Sequence, residues 1–519
     1  MSVDRDTFKH AAVYSGAAML SRMIGFLLLP FYAHVFQDTG YGVITMVDTA
    51  MALLMSLLAN GVRGAMIRFY HDQKEEPRKN LVVSTGAWLV AGVTLVMVLL
   101  GMTVSRPVSS LLLDSGDSWY LLCIGLGAFF FDMAGQTAGT VLIIRRKSLK
   151  YSAISLLRLT LGLGLNILLI LVLGWGLLGY FLSALIVAIV SALVYWTILK
   201  KECGWGFDRG LARQLAKFQL PLIPGSLASF ASRQAEPVLL KFINGIGSVG
   251  VLGMGYKFPV LLTLLIHQPF MRSWDTGRVQ IAEEADGPQR IGRMFTYALF
   301  LITSAGLIMA VCIEDALRIL TPDVFWAAHR IAKIEILTVI AMSATFHLNF
   351  GIFYRKETKE WGKVRGWTSA LKLGLSVAFI TMWGLEGAAF SALVTALITL
   401  TWGARIGQRL YRIDVERVKV VAMVALAGAV FLVLDRVDFT AAAWLDPVRE
   451  TWMPSVAESV RGSFLGDWKD GKAVVMLTER SDLIVDAVVK FLLACGFLLY
   501  LPVVHDPSRR RLTGLFGRS

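Results

Sequence analysis

The segment WGLLGYFLSAL at residues 175–185 returns 208 residues later as WGLEGAAFSAL at residues 383–393, with seven of the eleven positions identical. Compositional bias alone rarely repeats a pattern of this length. Two further pairs follow nearly the same separation, Gly42-Val43 with Gly250-Val251 at 208 residues and Arg146-Lys147 with Arg355-Lys356 at 209. The sequence therefore predicts that most of the chain consists of two copies of one ancestral unit.

The composition of the chain indicates a membrane protein. Of its 519 residues, 56% are hydrophobic and only 17% are charged, which is too apolar for a soluble protein with ordinary cores. Fourteen apolar runs recur along the chain, each of about twenty residues and long enough to cross a hydrocarbon layer of about 30 Å. They lie approximately at 11–36, 41–62, 81–104, 118–143, 151–173, 176–199, 216–243, 248–271, 293–313, 331–353, 366–384, 386–408, 418–435 and 483–504.

These runs and the internal duplication predict the architecture. We expect an all-α polytopic membrane protein with about fourteen transmembrane helices, arranged as two six-helix parallel repeats around a central cleft plus two extra C-terminal helices. Because six is even, both copies begin on the same side, and the symmetry axis runs along the membrane normal. The predicted parts are an N-terminal lobe at 1–205, a C-terminal lobe at 206–412, and a final part at 413–519 with an extracytoplasmic loop at about 436–482.

Basic residues concentrate in alternate loops, which predicts the orientation. The rich loops contain Arg63 to Lys79, Arg145 to Lys150, Lys200 to Lys217, Arg355 to Arg365, Arg405 to Lys419 and Arg509 to Arg511. By the positive-inside rule these loops and both termini are cytoplasmic. Topology thus accounts for most of the net charge of +14, and no nucleic-acid partner is expected.

Two arginines lie deep inside predicted spans. Arg22 follows His10 by twelve residues, about 18 Å along a helix, and Arg233 is similarly deep in the seventh span. Each follows a serine, Ser21 or Ser232, and each occupies the first helix of a copy. A buried arginine costs about 2.5 to 3.5 kcal/mol on insertion scales. A pair of guanidinium groups facing one cleft would form a two-sided site for phosphate oxygens, which suit bidentate donors.

An alternative is that these charges serve the structure alone. Asp48 in the second span is placed to neutralise Arg22, and Glu236 follows Arg233 by three residues, a spacing that permits an ion pair. A third deep carboxylate, Asp132, either pairs with a basic neighbour or transfers a proton. All three carboxylates are therefore candidates for coupling or charge balance.

Other basic residues have two interpretations each. Lys257 in the eighth span either reaches outward to the headgroups or points into the cleft. Arg63 and Arg272 end equivalent spans and either attract an anion at the cytoplasmic mouth or supply loop charge for topology. We expect the remaining deep cations to extend toward the nearest interface; these are Arg158, Lys241, Lys333, Lys372 and Lys490.

The seventh span is interrupted by Pro221, Pro224 and Gly225. We expect a bend there, either as part of a moving gate or as kinked packing. The chain contains no G-x-x-x-x-G-K-[ST], H-E-x-x-H or G-x-S-x-G motif, which disfavours an ATP-driven pump or an enzyme. The four cysteines have no metal-ligand spacing, so neither a metal nor a cofactor is expected.

The chain resembles the multidrug/oligosaccharidyl-lipid/polysaccharide exporter superfamily. The resemblance rests on the two repeats, the two extra spans, the S-R-x-x-G-F opening of Ser21 to Phe26 and the W-G-x-x-G-x-x-x-S-A segments. It covers almost the whole chain and is strongest toward bacterial lipid-linked oligosaccharide flippases of the Wzx and polysaccharide-transporter type. Lipid II flippases share the Ser-Arg opening, where the arginine is implicated in binding diphosphate, and the resemblance implies that role for Arg22. With only Arg63 and Arg68 after the second span, this chain lacks their arginine cluster, which argues against lipid II itself.

The resemblance implies a flippase that moves a polyprenyl-diphosphate-linked oligosaccharide from the cytoplasmic to the outer leaflet of a bacterial inner membrane by alternating access, for cell-surface polysaccharide biosynthesis. Its expected partners are the lipid-linked glycan, membrane lipids, and a polysaccharide polymerase or export machinery. Two alternatives stay open. A multidrug exporter of the same superfamily would carry small cations, which paired arginines disfavour, and a non-transporting scaffold of a polysaccharide assembly machine would use the charges only for structure.

Overall fold

Only helices and their connections occur in the residues that the computed structural model describes, which are 28–275, 277–436 and 481–499. We number the helices in chain order. They are α1 Leu29–Asp72, α2 Glu76–Thr103, α3 Ser105–Leu113, α4 Trp119–Ala138, α5 Thr140–Ile144, α6 Ser148–Asn166, α7 Gly176–Cys203, α8 Arg209–Gln219, α9 Ile223–Asn244, α10 Ile246–Leu262, α11 Gln268–Asp275, α12 Arg278–Ala282, α13 Gly287–Leu320, α14 Ala328–Leu348, α15 Phe350–Tyr354, α16 Thr358–Leu410, α17 Arg417–Leu434 and α18 Ser481–Leu499.

Ten helical stretches of the described residues are long and apolar enough to cross a membrane. The two longest each contain one non-helical residue, Gln37 in α1 and Gly384 in α16, so each consists of two helices joined at a kink. These kinks lie at predicted boundaries between successive spans. The predicted total of fourteen spans and the two-repeat arrangement stay predictions, and the extracytoplasmic loop lies outside the described residues.

Two further helices, α9 and α18, coincide with predicted spans and contain charged side chains that are paired within the protein. In α9, Lys241 pairs with Asp114 at 2.8 Å. In α18, Lys490 lies 2.6 Å from Asp486 and 3.2 Å from Asp315 of α13. Each ammonium group thus has a carboxylate partner within the protein, which the sequence did not indicate, and the expectation that Lys241 and Lys490 extend to an interface stays a prediction.

Several left-handed residues occur in pairs along the chain. Gln37 and Gly245 both have positive φ, as do Gly176 and Gly384, and the members of each pair are separated by the same distance in sequence as the repeated W-G segments. Arg146 and Lys356 are also left-handed, but they are slightly further apart. By backbone conformation, Arg146 therefore corresponds to Lys356, whereas the sequence match of Arg146-Lys147 with Arg355-Lys356 pairs it with Arg355, one residue earlier. Gly245 separates α9 from α10 as Gln37 separates the halves of α1.

The chain divides into two compact units. The first comprises Met1–Gly253 and Ser369–Ala388, and the second comprises Met254–Thr368 and Ala389–Ser519, each described as far as the structure allows. These bounds differ from the predicted lobes, which follow the duplication instead, and the lobes stay a prediction.

The first unit contains a close crossing between α1 and the start of α10. A Cβ atom at Gly42 would collide with the backbone oxygen of Ile246, and one at Gly250 with the backbone oxygen of Asp38. Asp38 corresponds to Ile246 and Gly42 to Gly250 in the sequence repeat, so the two contacts are reciprocal. Glycine is required at both positions, since any side chain would separate the helices.

Each unit has its own apolar core. In the first, Val62 and Met66 of α1 pack with Val83 of α2, Leu142 of α5 and Leu215 of α8. In the second, buried residues of α13 pack with those of α14, α17 and α18; they include Phe295, Ile302, Ile336, Met423 and Ala494. The extra C-terminal helices are therefore part of the second core and not separate attachments.

Candidate functional site

The seventh predicted span is broken as the prolines indicate. A 3₁₀ turn at Leu220–Leu222 separates α8 from α9, and the expected bend stays a prediction. Helix α8 begins after Asp208, whose carboxylate accepts a hydrogen bond from Leu211 N at 2.7 Å. Its far end is held to α1, because Gln219 Nε2 donates to Leu57 O at 3.2 Å. The break therefore sets the start of α9, which bears Ser232 and Arg233.

Arg233 is an exposed side chain on α9. Among the residues that the structure describes, it has no ion-pair or hydrogen-bond partner. Pro237 lies inside the same helix, and it lacks the N–H that would bond to the carbonyl of residue 233. Arg233 thus presents both an unengaged guanidinium group and a backbone oxygen released from the helix ladder, while Ser232 beside it is half-buried.

Glu236 does not pair with Arg233. Its side chain is 1% exposed, and Oε1 lies 2.7 Å from the Nζ atom of Lys372 on α16. Both residues belong to the first unit. The spacing that permitted an Arg233–Glu236 ion pair is therefore not used. The ammonium group of Lys372 neutralises the buried carboxylate instead, a pairing that the sequence did not indicate.

Asp132 on α4 is also neutralised within the protein. Arg158 of α6 donates through Nη2 to Oδ1 at 2.5 Å and through Nη1 to Ser191 Oγ at 3.1 Å. Gln136 Nε2 donates to the other carboxylate oxygen at 2.5 Å. Of the two interpretations of Asp132, the structure has the ion pair, and Arg158 is a charge partner and not an interfacial residue.

Arg63 is half-buried and bonded to the helices beside it. Its Nη2 atom donates to Gln136 O at 3.2 Å and its Nε atom to Thr140 Oγ1 at 3.3 Å. A role at the cytoplasmic mouth stays a prediction for Arg63. The equivalent Arg272 lies on α11, but its side chain is outside the described residues, as are Arg22 and Ser21.

Two other predicted residues lie on the surface of their own helices. Asp48 is exposed on α1 and belongs to the first unit, and Lys257 is exposed on α10 and belongs to the second. Their proposed roles in charge balance and in substrate binding are untested by this geometry. In the described part of the chain, no three histidine, cysteine, aspartate or glutamate side chains are grouped to hold a metal ion.

Sequence reasoning missed two polar side chains that organise this region, Lys372 as the partner of Glu236 and Gln136 as the link between Asp132 and Arg63. Gln136 follows Asp132 by four residues, which places both on one face of a helix. That spacing was a usable signal for Gln136. The pairing of Lys372 had no local signal, since its partner Glu236 lies on a helix far away in the chain.

Comparison with known proteins places the sequence in a family. Residues 8–274 match the family described as polysaccharide biosynthesis protein. The succinoglycan biosynthesis transport protein ExoT of Rhizobium meliloti (strain 1021) is 21% identical over 233 residues, which are 45% of this chain and 46% of that protein. The match thus spans less than half the length of that curated relative.

Solved structures share the fold. The lipid II flippase MurJ in an inward closed conformation aligns with a TM-score of 0.64 and 14% identity, covering 93% of this chain and 98% of that one. An inward-facing MATE family multidrug resistance transporter of the MOP superfamily aligns with a TM-score of 0.57 and 14% identity, covering 80% and 95%. The chain therefore shares the fold of these two proteins, in agreement with the resemblance found in the sequence. The family match extends over just over half of the chain and shows that this protein belongs to the polysaccharide biosynthesis protein family.

Proposed function

We propose that this protein is a flippase that moves a polyprenyl-diphosphate-linked oligosaccharide from the cytoplasmic to the outer leaflet of a bacterial inner membrane. The observation that supports it most directly is Arg233, an exposed guanidinium group in the seventh predicted span with no partner among the described residues. A guanidinium group presents five donors in a plane and suits the oxygens of a phosphate.

The neighbouring charges support the same interpretation. Glu236 is the carboxylate nearest to Arg233 along the chain, and Lys372 neutralises it. Asp132 is likewise bound to Arg158. Because these carboxylates have their own cations, they leave Arg233 available to an anion. In this proposal Glu236 and Asp132 balance charge within the bundle, Asp48 does so at the surface of α1, and Arg22 and Lys257 contribute further donors.

The two chemically different parts of the lipid-linked substrate cross the membrane by different routes. Its phosphates and sugars cross in a hydrated cleft between the predicted repeats, while its polyprenyl chain stays in the bilayer. Rocking of the repeats then exposes the headgroup on the outer side. With the interior negative, export of negative charge is favoured by about 2.3 kcal/mol per charge per 100 mV. The membrane potential therefore supplies a driving force when the charge crosses uncompensated.

A reconstitution experiment tests this function. The purified protein is placed in liposomes with a fluorescent polyprenyl-diphosphate oligosaccharide, and a membrane-impermeant reductant quenches the label in the outer leaflet. We expect protein-dependent exchange between leaflets for this lipid and no transport of a cationic dye by the same vesicles. Dye transport without lipid exchange would instead support a drug exporter, and neither activity in correctly folded protein would support a scaffold.

A further inference from the structure

A cavity of about 870 Å³ lies wholly within the second unit, and none of its lining residues belongs to α9, the helix that bears Arg233. Its walls come from the first turns of α13, the end of α14, the last turns of α16, the linker to α17 and the first residue of α17. Three arginines line it, Arg293 from α13, Arg412 from the linker and Arg417 from the start of α17, together with Gln289 and Gln408. By the predicted topology, all these segments are at the cytoplasmic surface.

The three arginines are exposed, and within the described residues none has a hydrogen bond or an ion pair from its side chain. Two carboxylates, Asp414 and Glu416, also line the cavity. Glu416 is paired with Lys419 at 2.7 Å. The cavity therefore has an excess of positive charge and a set of unengaged guanidinium donors, a combination that favours an anionic ligand with several oxygens.

The linker that bears Arg412 is held in place by polar contacts. Asp414 N donates to Pro288 O at 3.2 Å, and Ile413 N donates to Gln408 Oε1 at 2.9 Å. Tyr411 donates its hydroxyl proton to Ala282 O at 3.1 Å. Burial raises the pKa of this phenol, with smaller effects from Tyr354 and Asp414, so the hydroxyl stays a donor at neutral pH. The cavity wall is thus formed before a ligand arrives.

The first copy of the repeat has only one of these three arginines. In the register of the repeated W-G segments, the counterparts of Arg293, Arg412 and Arg417 are Thr85, Gly204 and Arg209. The Thr85 hydroxyl accepts a hydrogen bond from the linker at Asp208 N, 3.1 Å away. The arginines at 293 and 412 are therefore not required to join a sixth helix to the next one.

An apolar surface begins beside the cavity. On α17, directly after Arg417, Val418 is 84% exposed and Val421 is 67% exposed, three residues apart and on one face of the helix. In a membrane this face contacts hydrocarbon. We propose that the cavity binds the phosphate-bearing headgroup of an anionic phospholipid from the cytoplasmic leaflet, with Arg293, Arg412 and Arg417 as its donors and the acyl chains along this face of α17. The site is independent of the substrate proposed above.

Lipid binding to the purified full-length protein in neutral detergent tests this site. Native mass spectrometry follows a titration with phosphatidylglycerol for the unaltered protein, for an Arg293→Gln/Arg412→Gln variant, and for an Arg405→Gln/Arg409→Gln variant. The control pair is exposed, lies on α16 near the same predicted surface, and removes the same charge without lining the cavity. We expect the affinity for phosphatidylglycerol to fall by about tenfold or more in the cavity variant, because charge-assisted hydrogen bonds are lost. In the control variant the affinity should change by less than about twofold.

Two further measurements identify the ligand. Phosphatidylcholine, whose headgroup has no net charge, should bind more weakly and respond little to the cavity substitutions. Inorganic phosphate at the same concentration should not displace phosphatidylglycerol. Unchanged affinity in the cavity variant, an equal loss in the control variant, or displacement by inorganic phosphate would each overturn the proposal. If the double variant does not fold, the single variant Arg412→Gln, in the exposed linker, is tested by the same phosphatidylglycerol titration and should also bind more weakly than the unaltered protein.

Discussion

Lys372 Nζ lies 2.7 Å from Glu236 Oε1, and this ion pair connects α16 to α9 inside the first unit. The carboxylate is 1% exposed, so water contributes almost nothing to its solvation. It lies three residues after Arg233 on the same helix. The pair therefore determines both the local packing of α9 and the electrostatic surroundings of the proposed phosphate donor.

Removal of the cation alone should destabilise the protein strongly. In Lys372→Met, the buried carboxylate of Glu236 loses this cation, and we expect a loss of about 3 to 5 kcal/mol. Glu236→Gln combined with Lys372→Met should recover most of that loss. Thermal unfolding in detergent measures the effect. A control is Lys363→Met, which breaks the exposed Lys363–Glu360 pair and should cost about 1 kcal/mol or less. A double variant as unstable as the single one would show that the pair is not the cause.

The crossing of α1 and α10 predicts an effect at a glycine. In Gly250→Ala, the new Cβ atom would collide with the backbone oxygen of Asp38, and we expect a loss of about 1 to 3 kcal/mol as the helices separate. Gly64→Ala is the matched control, because nothing lies within 4 Å of a Cβ atom there, and it should be neutral or slightly stabilising. Equal thermal midpoints for the two variants would contradict the close crossing.

The kink in α1 predicts a stabilising substitution. Gln37 has φ 55° and ψ −169°, a conformation that is almost restricted to glycine, and Gly245 occupies the equivalent place after α9. Gln37→Gly removes this strain but loses the bond from Gln37 Nε2 to His34 O. We expect a net gain of about 1 kcal/mol in thermal unfolding. Gln37→Ala keeps a Cβ atom and should show no gain, so an equal gain in both variants would exclude strain as its source.

The fold was largely predictable from the sequence. Apolar runs mark the helices, Pro221 and Pro224 mark the break before α9, and the repeated W-G segments mark the kink at Gly384 and its counterpart Gly176. These signals are local or periodic, so they can be read from the amino-acid sequence alone. The register at Arg146 was one residue out, because identical residue pairs need not have identical backbone conformations.

The charge pairs of the candidate site were harder to predict. Asp132 with Arg158, and Glu236 with Lys372, join helices that are distant in the chain. Their choice of partner depends on how helices rotate and pack, which hydropathy does not report. Helix spacing even suggested the wrong partner for Glu236, since Arg233 is three residues away and Lys372 belongs to another helix. Arg22 and Ser21 are outside the described residues, so their roles stay predictions.

The role of Arg233 is tested most directly by the rate at which reconstituted protein exchanges a polyprenyl-diphosphate oligosaccharide between leaflets. The Arg233→Ala variant should be slower by about tenfold or more, because bonds between a charged donor and a phosphate contribute about 1.5 to 3 kcal/mol. The Arg233→Lys variant should be intermediate, since it keeps the charge without the planar fork. Arg213→Ala on α8, also exposed, should match the unaltered protein. An Arg233→Ala variant that is folded and exchanges the lipid at the unaltered rate would contradict the assignment of this arginine to the diphosphate.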